Sequence, residues 1–401
     1  MINRKTFSKV TIVLCLFFAA SVSLLSDSLN VIALYMAIPL AFLLTFFKCE
    51  ELAPNRYMTL LLWIYVWDGL SSLWALYPAT ANVELKRILG AFLLTYIVTV
   101  NGRERNMLKY LYATFIILYI GAWIYASQNN LIMAEIAGNQ ERLNDAKLNA
   151  NTMAYYTFYV TFACFCLSSV IDSKFWSRIW KYLFLAMIPL SFYVALVTAS
   201  RQVLLIQVPL ISFLLFERYY RQAGKKTRML FIGISVIIVL LAAQKVMDIY
   251  DNSYLATRAE TDISEDFRSK LLLDAIKVGF DHFPIGVGAG NYIHYSFKHR
   301  FSHCSYTELF ANNGIIGLGL YLSLLYRFIK LQWRRYRWTK DRQIMVFLFF
   351  GLIFAFYQFF YVFYTDLWLI AFFVLVATHA DLYYNERIQK EYILNTNSIC
   401  L

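Results

Sequence analysis

The chain has 401 residues, of which 60% are hydrophobic and 15% charged, and its formal net charge is +12. Soluble domains carry about 25% charged residues, so these charges are too few to cover a soluble globule with this much apolar surface. The composition excludes a disordered chain, a disulfide scaffold and a nucleic-acid-binding protein. It indicates an all-α polytopic membrane protein.

Hydrophobic runs that are long enough, or nearly long enough, to span a bilayer recur along the chain. We predict twelve spans, at residues 10–26, 29–47, 57–73, 87–100, 108–126, 151–171, 182–199, 203–216, 229–247, 304–328, 344–360 and 366–380. Eleven or thirteen spans are alternatives, because the fourth and eighth runs are short. The first run has a basic start but no small-x-small cleavage site, so we interpret it as a span and not as a signal peptide. Residues 1–401 are therefore expected to form one polytopic membrane domain.

The placement of Lys and Arg predicts the orientation of the chain, because cytoplasmic segments carry most of these residues. If the N-terminus is cytoplasmic, the predicted cytoplasmic segments hold 25 of the 37 Lys and Arg residues, and residues 327–342 are the richest segment. Both termini are then cytoplasmic. The remaining Lys and Arg residues lie on the outer side, where topology does not require them, so they are candidates for function.

The longest predicted outer loop covers residues 248–302, and residues 266–280 within it have the pattern of an amphipathic helix that Ser264 can cap. Asp266, Lys270, Asp274 and Lys277 lie on one stripe with the spacing of ion pairs. Arg268 points about 160° away from this stripe, towards the apolar side. A guanidinium there requires an anion or access to water.

A glycine-rich run follows this helix, with Gly286, Gly288 and Gly290 before Asn291. No strand precedes it and its final spacing is wrong, so we exclude a dinucleotide-binding loop. The glycines are expected to let the backbone turn and to approach a phosphate or a sugar.

Three of the five histidines lie close together after the glycines: His294, His299 and His303. A metal site is a weak alternative here, because the spacing does not place all three on one helical face. His303 precedes the capping-box pattern of Ser305 and Glu308, which predicts a position just before a helix N-terminus. A histidine there can act as a base or can contact a phosphate.

Other charged residues near the predicted outer boundary are also candidates. Arg201 lies in a very short turn between two spans, where a charge is costly and often functional. Lys86 and Arg87 open the fourth span, and Glu84 can pair with them. Asp68 and Asp366, near outer span ends, are either counter-ions to these cations or hydrated surface residues.

Several segments together resemble the O-antigen polymerase and ligase superfamily. The features in common with the family are a proline-glycine turn, a histidine that opens a helix, and a turn that contains an arginine. The segments are residues 71–78, 148–154, 198–202, 283–292 and 303–317. Cys304 stands where the family usually has Asn, and Ala199 stands where it has Gly. The order and spacing of the segments carry the resemblance more than any single motif does.

The resemblance implies a metal-independent, inverting glycosyltransferase that uses no cofactor and takes a glycan from undecaprenyl pyrophosphate. Arg201 and Arg268 match the family's essential arginines and would hold the pyrophosphate, and His303 matches its essential histidine and would activate or orient the acceptor hydroxyl. We assign weaker substrate contacts to Lys86, Arg87, Asn151, Gly288, Asn291 and His294.

The implied setting is the bacterial inner membrane, with the active site facing the periplasm. The partners would be the lipid-linked oligosaccharide, the membrane lipids and an acceptor glycan, with a chain-length regulator protein as a candidate further partner and no nucleic acid. The acceptor is a lipid-linked repeat unit in a polymerase, which we favour, and the lipid A core in a ligase. A polysaccharide or lipid transporter is the third alternative, but the sequence has no inverted repeat to support it.

Overall fold

The computed structural model describes residues 4–23, 31–129, 148, 150–198, 200–221, 223–226 and 267–399. This part of the chain is helical and contains no strand. Its helices are α1 (Arg4–Ser23), α2 (Ala33–Cys49), α3 (Arg56–Ser71), α4 (Pro78–Asn101), α5 (Arg105–Gln128), α6 (Ala150–Val170), α7 (Lys174–Thr198), α8 (Arg201–Leu215), α9 (Phe267–Asp281), α10 (Tyr292–Tyr295), α11 (Ser305–Thr339), α12 (Arg342–Tyr357) and α13 (Leu367–Ile399).

Six helices in the described ranges are long and apolar enough to cross a membrane. They are α5, α6, α7, the segment Gln202–Tyr220, α11 and α13, and two shorter apolar helices are α2 and α12. This is the helical architecture of a membrane-embedded protein. Each predicted span within the described residues coincides with a helix, whereas the ninth, residues 229–247, lies outside them. The number of twelve spans stays a prediction.

Several helices extend beyond their predicted hydrophobic runs, and two of these, α4 and α11, contribute to the candidate site. The helix α4 begins at Pro78, well before the predicted start of the fourth span, because proline fits the first helical position. The helix α11 continues to Thr339, so most of the cationic segment 327–342 is helical and is not a loop. It ends at Lys340, which adopts the left-handed conformation, and Asp341 then caps α12 through the backbone N–H groups of its first turn.

The chain divides into two compact units. The first comprises residues 1–21, 27–114 and 267–401, and the second comprises residues 22–26 and 115–266. In the second unit α6, α7 and α8 pack on one another, and α6 is buried along most of its length. In the first unit α11 packs against α3, α9 and α12, while α4 packs against α2 and α13.

Many cations of the first unit are paired with acids near the ends of α2, α11 and α13. Arg335 Nη1 lies 2.6 Å from Asp381 Oδ1, and Arg105 Nη1 lies 2.8 Å from Glu386 Oε2. Lys48 also pairs with Glu104. The candidate site lies in the part of this unit that is opposite these ion pairs. There, residues 282–304 contact one end each of α3, α11 and α12.

Candidate functional site

The helix α9 confirms the amphipathic segment that the sequence predicts, with bounds shifted by one residue. Its inner face carries Leu271, Ala275 and Val278, and the last two belong to a buried cluster with Tyr292 and other side chains. Arg268 is half-buried on this inner side, as the periodicity predicts. Its guanidinium acts electrostatically on the hydroxyl of Tyr357 at the end of α12.

The predicted ion pairs along α9 are wrong for the residues that the structure describes. Asp274 accepts a hydrogen bond from the backbone N–H of Phe297 at 2.8 Å, and no ion pair joins it to Lys270 or Lys277 in the described ranges. Both lysines are exposed on the outer face of the helix. The folded loop supplies a backbone donor that helical spacing does not reveal, and Ser264 and Asp266 lie outside the described residues.

The glycine-rich run packs directly on α11 through its backbone. Val287 and Gly288 donate N–H bonds to the carbonyls of Ala311 and Asn312 at 2.9 and 2.8 Å. Gly288 has φ of +97°, and a Cβ atom there would lie 2.7 Å from the carbonyl oxygen of Ser71. The backbone of Gly288 therefore lies against the backbone of Ser71, and its N–H already donates to the carbonyl of Asn312.

The helix α11 is broken where this run docks. Gly314 has φ of 63° and ψ of −163°, and the N–H of the next residue, Ile315, donates to the carbonyl of Pro284 at 3.0 Å. A Cβ atom at position 314 would collide with that same carbonyl. Glycine is therefore required here for both its backbone conformation and its size.

We expect Gly314→Ala to destabilise the fold by about 3 kcal/mol or more, because it combines a backbone conformation that is essentially restricted to glycine with a collision in a packed region. The measurement is the thermal stability and the monodisperse yield of the purified protein. Gly319→Ala is the matched control, since it lies in the same helix with no atom within 4 Å of its Cβ position. Equal stability of the two variants would contradict the assignment of the break to Gly314.

Asn291 and His294 fasten the loop to the start of α4. Asn291 is fully buried; its Oδ1 accepts from the N–H of Tyr77 at 2.8 Å, and its Nδ2 donates to two backbone carbonyls. The His294 ring stacks on Tyr77 with centroids 3.8 Å apart, and its Nε2 lies 2.6 Å from Thr80 Oγ1. These contacts give Asn291 and His294 structural roles, as the docking on α11 does for Gly288, and their assignment as weaker substrate contacts stays a prediction.

His303 lies where the sequence predicts, immediately before a helix. It is half-buried with φ of 61°, its ring centroid is 4.2 Å from that of Phe301, and α11 begins two residues later. A histidine tolerates this left-handed conformation better than most residues. The position places an imidazole beside the positive end of a helix dipole, which suits contact with an anion.

The capping box itself is formed differently from the prediction. The N-cap is Cys304, which makes no side-chain cap, and Ser305 is the first helical residue. Glu308 Oε2 accepts from the N–H of Ser302 at 2.6 Å, and Ser305 Oγ donates to the carbonyl of Tyr361 at 2.9 Å. Ser305 is used to join α11 to the chain after α12, a long-range contact that local spacing does not reveal.

Arg268 and His303 come to the same end of α12. Arg268 acts on Tyr357, and the next residue, Gln358, accepts a hydrogen bond from the N–H of Ser305 at 2.9 Å. Ser305 in turn follows His303 by two positions. Both candidates therefore lie towards the same end of the first unit.

The remaining candidates are less closely defined. Arg201 begins α8 and Asn151 lies in the first turn of α6; both belong to the second unit, and their side chains lie outside what the structure describes. The short turn before Arg201 is confirmed, because α7 ends at Thr198. Lys86 and Arg87 are exposed on α4, and Arg87 Nη1 lies 3.5 Å from Glu84 Oε2.

No pattern in the sequence predicts the cluster of buried polar side chains that lies beside the loop. Its carboxyl groups belong to Asp68, Glu84 and Glu308, and its amides to Asn312 and Asn313. Asp68 is neither a counter-ion on the surface nor hydrated, because it is 1% exposed and bonded to Asn313. Asp366, in contrast, caps α13.

The three histidines do not form a metal site in the structure. In the described residues, which include all three, no group of three or more His, Cys, Asp or Glu side chains is arranged to hold a metal ion. His294 is stacked on Tyr77, and His299 is exposed.

No protein-family model matches the chain, and no curated protein matches it.

Proposed function

We propose that this protein is a membrane glycosyltransferase of cell-surface polysaccharide assembly, which transfers a glycan from undecaprenyl pyrophosphate to an acceptor sugar. The observation that carries the proposal is that Arg268, half-buried on the inner side of α9, and the segment that directly follows His303 both lie near the end of α12. An always-charged, forked donor and an imidazole at a helix start are the two groups that this transfer needs. One holds the pyrophosphate leaving group, and the other activates the acceptor hydroxyl.

The chemistry requires that the donor anion be bound while the bond between the anomeric carbon and the phosphate oxygen breaks. Arg268 would stabilise the negative charge that develops on the pyrophosphate, and the family resemblance assigns Arg201 the same task. His303 would accept the proton of the attacking hydroxyl. The active site would face the periplasm of a bacterial cell, and both termini would be cytoplasmic, as the distribution of Lys and Arg favours.

Polymerase and ligase activities share this donor site and differ in the acceptor. We favour a polymerase, which adds the growing chain to a second lipid-linked repeat unit. A ligase, which delivers it to the lipid A core, is the second candidate, and transport of the lipid-linked glycan is the third. The polar groups of the candidate site that the structure describes cluster at one end of the first unit, which favours transfer over transport.

The deciding experiment supplies the purified protein with a lipid-linked repeat unit, with and without the lipid A core. A ladder of longer glycans without the core is the expected result. Products that form only with the core would identify a ligase, and movement of intact lipid across a vesicle without new bonds would identify a transporter. The ladder should also survive EDTA, because the arginines supply the counter-charge. Loss of activity that a divalent cation restores would contradict the proposed mechanism.

A further inference from the structure

A cluster of acids is buried where three helices of the first unit meet. Asp68 is 1% exposed, and Glu84 and Glu308 are each 6% exposed. All three act electrostatically on the buried hydroxyl of Tyr364, which also accepts a hydrogen bond from Asn312 at 3.3 Å. The three carboxyl groups therefore occupy one neighbourhood, although they lie on α3, α4 and α11.

Positive charge in this neighbourhood is scarce. Arg87 lies 3.5 Å from Glu84, but its side chain is 63% exposed. No Lys or Arg of the described chain forms an ion pair with Asp68 or Glu308. Burying carboxylates without compensation costs several kcal/mol each, so such groups are normally paired or neutralised.

Two oxygen atoms in the cluster have no hydrogen-bond donor in the described part of the chain: Asp68 Oδ2 and Asn313 Oδ1. They belong to side chains that are already joined, because Asn313 Nδ2 donates to Asp68 Oδ1 and also to Ser71 Oγ at 3.1 Å. This arrangement fixes the orientation of the Asn313 amide, since the flipped amide would lose both bonds. Within the described residues, the Asp68–Asn313 pair therefore lacks a positive charge or a hydrogen-bond donor for these two oxygen atoms.

Asp68 and Asn313 both lie at helix ends that favour a positive charge. Asp68 lies in the last turn of α3, and Asn313 ends the first part of α11 just before the break at Gly314. Both are carboxyl-terminal helix ends, where the helix dipole is negative and favours a cation. Broken helices in membrane proteins use such ends to bind small cations.

We propose that the Asp68–Asn313 pair is a binding site for one positive charge from solution, either an alkali cation or a proton on Asp68. A divalent ion is not favoured, because no three acidic side chains of the described chain converge on one point. The bound charge fastens α3 to the break in α11, on which the loop of residues 284–288 is docked. The site goes beyond the proposed glycosyl transfer and does not depend on it.

A simpler explanation involves Tyr65. Its hydroxyl is buried with no hydrogen-bond partner in the described residues, and it acts electrostatically on Asp68. In this explanation the Tyr65 hydroxyl donates its proton to Asp68 Oδ2. This would satisfy one oxygen but add no charge, so the two explanations differ in their dependence on solution cations.

The test is the thermal stability of the full-length protein in detergent, in choline, sodium or potassium chloride at equal ionic strength, between about pH 6 and pH 8. If the charge is an alkali cation, sodium or potassium should raise the melting temperature saturably above its value in choline. If it is a proton, the melting temperature in choline should fall as pH rises, because the folded state then loses a bound proton. Glu84, Tyr65 and Tyr364 also interact electrostatically with Asp68, and Glu308 does so with Glu84 and Tyr364, so a variant must locate the response.

Asp68→Asn removes the charge that requires compensation and adds an amide that can donate to Asn313 Oδ1. It should abolish the cation or pH response, whereas Asp281→Asn, the same change at an exposed position, should keep it. Asn313→Asp should enlarge the dependence of the melting temperature on cation or pH. It is the variant that tests the proposal if Asp68→Asn does not fold. The proposal is overturned if the wild type responds to neither variable, or if Asp68→Asn responds like the wild type. A stability loss in Tyr65→Phe with no cation response would favour the tyrosine explanation.

Discussion

His303→Asn is expected to reduce glycan transfer by about 10²–10⁴-fold, the contribution of a general base, while leaving donor binding near normal. Asparagine is the informative replacement because His303 has φ of 61°, a conformation that asparagine tolerates and alanine does not. The variant therefore removes the imidazole without straining the backbone before α11.

His299→Asn is the matched control for this variant. His299 is exposed and has φ of 52°, so the same replacement in the same backbone conformation should leave transfer unchanged. The measurements are product formation and binding of the lipid-linked donor. If the His303 variant transfers glycan at the wild-type rate, the acid–base assignment fails. If it loses donor binding as well, His303 contacts the donor and not the acceptor.

Arg268→Lys is expected to reduce transfer by roughly tenfold to a hundredfold, with weaker binding of the lipid-linked donor. The lysine keeps the positive charge but loses the planar fork, so a paired contact with phosphate oxygens becomes a single one. Such a hydrogen bond to a charged group is worth about 1.5–3 kcal/mol. Arg201→Lys should behave in the same way.

Lys277→Gln, on the exposed face of the same helix, is the control for Arg268→Lys. Its yield and activity should match the wild type. Because Arg268 acts on Tyr357, the variant's thermal stability must be measured beside its activity. Full activity in Arg268→Lys together with misfolding in Arg268→Ala would make the arginine structural and would exclude it from pyrophosphate binding.

The two sets of experiments remain distinguishable. The variants of Arg268 and His303 are judged by product formation and donor binding, and those of Asp68 and Asn313 by cation-dependent stability. Failure of the glycosyl transfer would leave the buried cation site intact, and the reverse also holds.

The sequence by itself determined the features that depend on neighbours along the chain. Apolar runs predicted the helices, the 3.6-residue period placed Arg268 on the inner side of α9, and the pattern of Ser305 and Glu308 placed His303 just before a helix start. These are local properties, because a helix forms from contacts between residues three and four positions apart. The same locality explains why the spacing suggested ion pairs of Asp274 with Lys270 and Lys277, which are not formed.

Only the tertiary structure decided which side chains meet. The bond between Asn313 and Asp68 joins residues 245 positions apart, and the link between Ser305 and Tyr361 joins residues 56 positions apart. Nothing in the periodicity of α3 distinguishes Asp68 from a hydrated residue at a helix end. Its burial follows from the break at Gly314, where α11 turns its amides towards α3 and the loop backbone takes the freed carbonyls. Local pattern thus fixes where helices lie, whereas burial of polar groups depends on distant partners that satisfy them.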